Sequence, residues 1–396
     1  MFKNLMGDLK KKEAKSWYMV SVATFYFMYG LIFATWVSRI SDIKIALNIN
    51  DIVLGGILAF IPAGQMVAMA ISGLLVSKFG SKKILIIGGL SYGTILALIG
   101  LISSLWRLSL GLFFFGMAAN MLNIAVNTQG VGVERIFKKS ILGTFNGFWS
   151  LGGLLGGIIS AFIVSVNPKY LFHFVIICLF SIVIVTTMSW SVLPRDEYNS
   201  NKVPNSKEKK KIFSRPDKYI LILGLIAFCS MASESAVYDW GTIYFKEVIN
   251  PPQNLLRLGY IATMLSMTGG RFYSDKFIMR FGAETILKTC GILITCGILS
   301  ATIFPNLVAA TFGFFLVGLG VSAVVPISFS LAGKSKIMLP GMSIATVSFI
   351  GFFGYLLTPP ILGFLADKLS LRWTLAIFST IGLLVYFLSK KIQNNN

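Results

Sequence analysis

The sequence predicts an all-α integral membrane protein with twelve transmembrane helices in two similar six-helix halves. Three observations lead there. Of 396 residues, 55% are hydrophobic and only 13% charged, with a mean hydropathy of +0.78; soluble globular chains carry about 25% charged residues. Apolar runs of about 18 residues or more, long enough to cross a bilayer, recur along the whole chain. The basic residues behind a formal net charge of +20 gather in alternate loops, as they do on the cytoplasmic side of membrane proteins. That charge is therefore topological. It attracts anionic lipid headgroups, and no nucleic-acid partner follows from it.

A cytoplasmic N-terminal tail, residues 1–16, carries KKKEAK. The first span, 17–37, is long enough to cross and is not followed by a small-residue cleavage site, so it is expected to remain as a helix. Further spans at 52–76, 84–103, 108–132, 141–166 and 170–191 complete an N-terminal bundle, 17–193. The linker 194–218 is the most charged polar segment and divides the chain six plus six. The C-terminal bundle, 219–390, holds spans at 219–246, 256–274, 284–303, 306–332, 341–366 and 372–390, followed by a tail, 391–396. An even number of crossings puts both termini on one side, and the lysine bias makes that side cytoplasmic. Cys178, Cys229, Cys290 and Cys296 all fall inside spans. Buried apolar residues are expected there, with neither a disulfide framework nor a metal site.

The halves echo one another, as internal repeats of secondary transporters do. Trp36 in ATWVSRI and Trp240 in YDWGTIY take equivalent places, and GLLVSKFGSKK after the second span answers GRFYSDKFIMRFG after the eighth. The first of these turns, with Gly73, Ser77, Lys78, Gly80, Lys82 and Lys83, resembles the major facilitator superfamily signature G-x-L-x-D-[RK]-x-G-[RK]-[RK]. Ser77 stands in place of the usual aspartate. The second half keeps Asp275 and Lys276, then Arg280, with two extra residues before the glycine, and Arg271 just ahead. The stretches ATWVSRISDIK, NTQGVGVER, FNGFWSLGGLLGG, VYDWGTIYF, GGRFYSDK and PPILGFLADK are similar to a bacterial branch that includes rhizopine-uptake-type proteins. The resemblance implies the major facilitator fold, the bacterial cytoplasmic membrane, and two bundles that rock about a central site. It also implies a cytoplasmic gate in the motif turns, which the lysines support physically by bonding helix C-terminal carbonyls.

Ionisable groups inside spans are costly and are functional candidates by default. SESAVYDWGTIY, 233–244, holds two. At 1.5 Å per residue from Tyr219, Glu234 lies roughly 22 Å along the helix and Asp239 about 30 Å, and the two point about 140° apart. Glu234 shares a face with Ser230, Tyr238 and Gly241, Asp239 with Ser235, Thr242 and Lys246. Burial disfavours the charged form of a carboxyl, so Glu234 is a candidate proton carrier; a glutamate bonded to Tyr238 or substrate without titrating is the alternative. Asp239, at the rim, is paired with Arg39 as a candidate outer gate, the alternative being two independent solvated charges.

Asn120, Asn123 and Asn127 line one face of the fourth span, with Glu134 beyond them and Gln129 opposite. Asn120 and Asn123 suit hydroxyl-rich solutes or interhelical bonds, while Asn127 and Glu134 belong with the cytoplasmic gate. In the fifth span Asn146 and Ser150 share a face beside Phe148 and Trp149, and Gly152, Gly153, Gly156 and Gly157 permit close helix approach. The glycines resemble the antiporter motif G-P-x-x-G-G with its proline missing. Asn146 and Trp149 are binding candidates, and Tyr26, Tyr29, Gln65 and Tyr238 are further ones. His173, the single histidine, is read as structural.

The expected function is proton-coupled uptake of a small polar solute, sugar- or inositol-like, by a monomer needing no cofactor. A proton antiporter exporting drugs or metabolites and a non-transporting membrane sensor stay open. No nucleotide loop, metal cluster or nucleophile–histidine arrangement suggests an enzyme.

Overall fold

A computed structural model describes residues 2–102, 104–137, 141–194, 218–332 and 340–392. Side chains of residues 2–15, 70, 77, 143, 275, 340–342 and 345 are outside the description. The linker from 195 to 217 and the side chains of Ser77 and Asp275 thus lie outside the described residues, and the expectations placed on them are not addressed by it.

The described chain is helical, with no β-strand. The first helix, Phe2–Val37, continues after a two-residue break as Ile40–Ala46. The second runs as Asp51–Leu58 and Phe60–Phe79, and the Asn50 side chain caps its start by accepting from the Val53 N–H at 2.9 Å. This satisfies one of the donors that a helix N-terminus leaves free. Helices three to six are Ser81–Ile99, Leu105–Phe137, Leu142–Val166 and Tyr170–Met188. Helices seven to ten are Lys218–Tyr244, Leu258–Phe281, Ala283–Ile303 and Leu307–Ala332. Pro340–Leu369 is the eleventh, and Leu371–Phe378 with Thr380–Ser389 the twelfth.

Eleven of these are long and apolar enough to span a membrane. The eighth, Leu258–Phe281, is not among them, and Arg271, Asp275, Lys276 and Arg280 all lie in its second half. Trp106, Phe162, Val166, Leu179 and Met279 are exposed, an apolar surface that fits lipid contact and would be a liability in water.

The helices form two compact units, one of Met1–Arg39 with Ala63–Ser200, the other of Ile40–Pro62 with Asn201–Asn396. In the first unit, helices one and five approach backbone to backbone. A Cβ on Gly30 would strike the Trp149 carbonyl, and one on Gly152 the Phe27 carbonyl. In the second, Gly297 and Gly313 bring helices nine and ten together in the same way. Lipid tails are as apolar as leucine, so such small-residue contacts supply the close packing that association needs.

One tight turn recurs three times. Gly80 (φ +85°, ψ 148°) precedes helix three, Gly282 (+80°, 154°) helix nine, and Ser370 (+78°, 150°) helix twelve. The third copy, Gly363-Phe-Leu-Ala-Asp367-Lys368-Leu-Ser370, keeps the signature's aspartate and puts serine where the backbone favours glycine. An L-residue in this region carries strain of about 1–3 kcal/mol. Ser370→Gly should therefore raise the stability of the detergent-solubilised protein by about 1 kcal/mol, read as a higher midpoint in thermal unfolding.

Candidate functional site

Among the described residues each unit holds a cluster of polar and aromatic side chains that includes the binding and coupling candidates. In the second unit it centres on the seventh helix, which is the most enclosed, at 83% buried against 39–72% for the other ten apolar spans. Two glycines of the eleventh helix explain how its partner reaches it. Gly351 lies against Met231 and Ala227, and Gly354 against the Phe228 carbonyl and the Ala232 nitrogen. That approach delivers Tyr355, whose hydroxyl donates to Oε2 of Glu234 at 2.5 Å. Glu234 is 5% exposed, and the Arg271 guanidinium on the eighth helix is near enough for its charge to act on it.

Tyr238 does share Glu234's surroundings, but its hydroxyl donates to the Met267 sulfur at 3.4 Å. The carboxylate's phenol partner is thus Tyr355, from a helix 121 positions on. Tyr260 completes the group with its ring edge-on to Tyr238 at 6.0 Å, and its buried hydroxyl finds no partner among the described residues. A carboxyl held by one phenol donor beside a guanidinium has stable partners in both protonation states. As a carboxylate it accepts from Tyr355 and is balanced by Arg271; as an acid it can donate in turn.

Asp239 is separate from this cluster. Its Oδ2 accepts from the Ser235 hydroxyl at 2.7 Å, the face-sharing expected from helical phase. Arg39 is fully buried in the first unit; it donates from Nε to Nδ1 of His173 at 3.3 Å and from Nη1 to the Pro168 carbonyl at 3.0 Å. The histidine thereby orients an arginine between two helices, a structural use.

The first unit's cluster is a ladder. Tyr26 donates to Oδ1 of Asn127 at 2.7 Å, and Nδ2 of Asn127 donates to the main-chain carbonyl of Asn123 at 2.8 Å and its Oδ1 at 3.0 Å. Nδ2 of Asn123 reaches the Tyr29 hydroxyl at 3.5 Å. Asn127 therefore bonds with the binding candidates rather than with the turn at the helix end. Aromatic rings flank the ladder: Phe145 stacks on Tyr26 at 5.6 Å, and Tyr92 and Trp149 tilt against Tyr29 at 5.7 and 6.1 Å. Asn120 is buried, and its side-chain oxygen has no hydrogen-bond donor among the described residues.

Other candidates are placed differently. Asn146 is exposed and bonds back to the Leu142 carbonyl at 3.0 Å. Gln65 is half-buried. Oε1 of Glu134 accepts from the Ile141 and Leu142 amides at 2.6 and 3.0 Å, capping the fifth helix, where a negative charge is favoured. Lys78, Lys276 and Arg280 each lie over a neighbouring ring, of Phe79, Tyr273 and Phe281. Lys82 is half-buried and Lys83 exposed at the start of the third helix.

Sequence reasoning missed Tyr355, and it placed Gln129 on the opposite face without giving it a role. Fully buried Gln129 donates to Ser81 at 2.7 Å and the Leu193 carbonyl at 3.1 Å, and accepts from the Leu193 amide at 2.8 Å. It fastens the fourth helix to the beginning of the third and the end of the sixth.

Comparison with known proteins agrees with this architecture. The Major Facilitator Superfamily profile matches residues 16–336. An uncharacterized MFS-type transporter of Yersinia pestis is 28% identical over 370 residues, 92% of each chain. Membrane protein MosC of Rhizobium meliloti is 27% identical over 380 residues, 96% of this chain and 91% of that one. A crystal structure of a mutant of the nucleoside transporter NupG superposes with a TM-score of 0.78 at 13% identity, over 94% of this chain and 99% of that one.

Proposed function

The chain belongs to the major facilitator superfamily of membrane transporters, and within it we propose proton-coupled uptake of a small polar solute by alternating access. The observation that carries the reading is Glu234, a carboxyl on the most enclosed span with one phenol donor and one cationic neighbour. A proton carrier needs a buried acid that two surroundings can stabilise in turn.

The Tyr26–Asn127–Asn123–Tyr29 ladder supports a ring-shaped, hydroxyl-bearing solute of sugar or inositol type. Phenols and carboxamides both donate and accept, and the half-buried Trp149 ring beside Tyr29 offers a flat apolar face. The lysine-rich loops favour an orientation with both termini cytoplasmic in a bacterial inner membrane. Membership of the rhizopine-uptake-type branch is consistent with full-length relatives at 27–28% identity. Within this reading the chain works as a monomer, and the Gly73–Lys83 stretch and the Arg271–Arg280 end of the eighth helix act as the cytoplasmic gate.

A thermal-shift screen of polyols, sugars, amino acids and peptides on purified protein identifies the solute, since a ligand at about 100 times its Kd stabilises the bound state by about 2.7 kcal/mol. Hydroxyl-bearing rings are expected to give the largest upward shifts; shifts confined to amino acids or peptides would refute the solute class. Proteoliposomes with an imposed pH gradient then give the direction. Accumulation on the alkaline side supports symport, and movement against the protons means antiport.

A further inference from the structure

The segment Ile40–Pro62 is continuous with the first unit at Arg39 and Ala63, yet it packs with the second. Its contacts there are of two kinds. Fully buried Arg257, before the eighth helix, donates from Nη2 to Oδ2 of Asp42 at 2.9 Å. Lys44 bridges Asp51, at 2.6 Å, and Glu247 in the turn after the seventh helix. The second kind is backbone contact. A Cβ on Gly55 would strike the Pro359 carbonyl, and one on Gly363 the Asp51 carbonyl. Gly363 opens the third copy of the recurring turn, Gly363 to Ser370.

On the function and orientation proposed above, this end of the eleventh helix faces outward. We propose that Ile40–Pro62 is a releasable outer latch, fastened by the Asp42–Arg257 and Lys44–Asp51–Glu247 ion pairs and seated on the outer copy of the turn. Alternating access requires one set of contacts to break on each face in turn. These contacts suit that role: the Lys44 group is partly water-exposed, at 14% for Lys44 and Asp51 and 38% for Glu247, so its charges can be rehydrated on release. The buried Arg257 fixes the register, because a guanidinium taken from water must regain a specific acceptor to close again.

Ser41 lies in the latch at 1% exposure and becomes reachable only when the segment lifts. The test is Ser41→Cys in a background with the exposed Cys296 replaced by serine, labelled by a membrane-impermeant maleimide applied outside intact cells. Arg257→Gln, Asp42→Asn and Lys44→Gln should each raise the labelling rate by about tenfold or more, as loosening a two-state closure does. The exchange Asp42→Arg with Arg257→Asp should bring the rate back toward that of the parent. Equal labelling in parent and Lys44→Gln, a part-exposed position where folding is not at stake, overturns the latch. So does an exchange that labels as fast as the single variants. Labelling needs no solute, so an absence of proton-driven flux with an intact labelling response would count against the transport reading alone.

Discussion

Replacing Glu234 by glutamine is expected to abolish accumulation driven by a pH gradient while leaving solute equilibration intact. If one proton accompanies each solute, a gradient of one pH unit supplies about 1.4 kcal/mol, enough for about a tenfold concentration ratio. Glutamine keeps the size of the side chain and can still accept from Tyr355, but it cannot release a proton. Proteoliposomes carrying the variant should therefore approach an internal-to-external ratio near one at any imposed gradient. A ratio that still follows the gradient removes Glu234 from the coupling step. Tyr355→Phe is the companion measurement. It removes only the positioning bond, worth about 1–1.5 kcal/mol, so accumulation should persist with uptake slowed about tenfold. Equal loss in both variants would mean that the cluster acts as a structural unit.

Why Tyr355 escaped a sequence reading is a matter of what helical periodicity can state. Phase along one helix separates Glu234 from Asp239 and joins Asp239 to Ser235, and the 2.7 Å bond between the last two bears this out. Phase says nothing about which residue of another helix faces Glu234. That depends on Gly351 and Gly354 letting the eleventh helix close on the seventh, and glycines are common throughout such spans. Tyr238 was a natural choice as the carboxylate's partner because it lies one turn away. Its hydroxyl instead meets the Met267 sulfur.

The fold was more legible than the site for the same reason. Span length, loop charge and the central break are properties of contiguous sequence, and they survive any packing. The eighth helix reads as a span at 256–274 and is found at Leu258–Phe281, its C-terminal end running on past the charged residues. The limit is the segment 40–62. Its two short helices belong in sequence to the first half and in packing to the second unit. No local signal announces that, because Asp42 and Lys44 read as ordinary loop charges until Arg257 and Glu247 stand beside them.

The two faces of the fourth helix allow binding to be separated from stability. Asn123→Ala removes the side-chain acceptor of one rung, while Asn127 retains the main-chain carbonyl at 2.8 Å and its bond from Tyr26. The helix therefore survives, and the loss falls on the solute. With a buried polar group of the ligand left unsatisfied costing about 1–3 kcal/mol, affinity for the solute found in the stability screen should weaken about tenfold to a hundredfold in calorimetric titration. Gln129→Ala, on the opposite face, deletes three bonds that fasten the fourth helix to Ser81 and to Leu193. It removes the acceptor of the Leu193 amide and should lower stability by about 1–3 kcal/mol, with solute affinity unchanged. Both carboxamides lie within one helix, six residues apart in sequence, so composition and depth cannot account for a difference between them. If Gln129→Ala weakens binding while Asn123→Ala only destabilises, the ladder is packing and the solute site must be sought elsewhere.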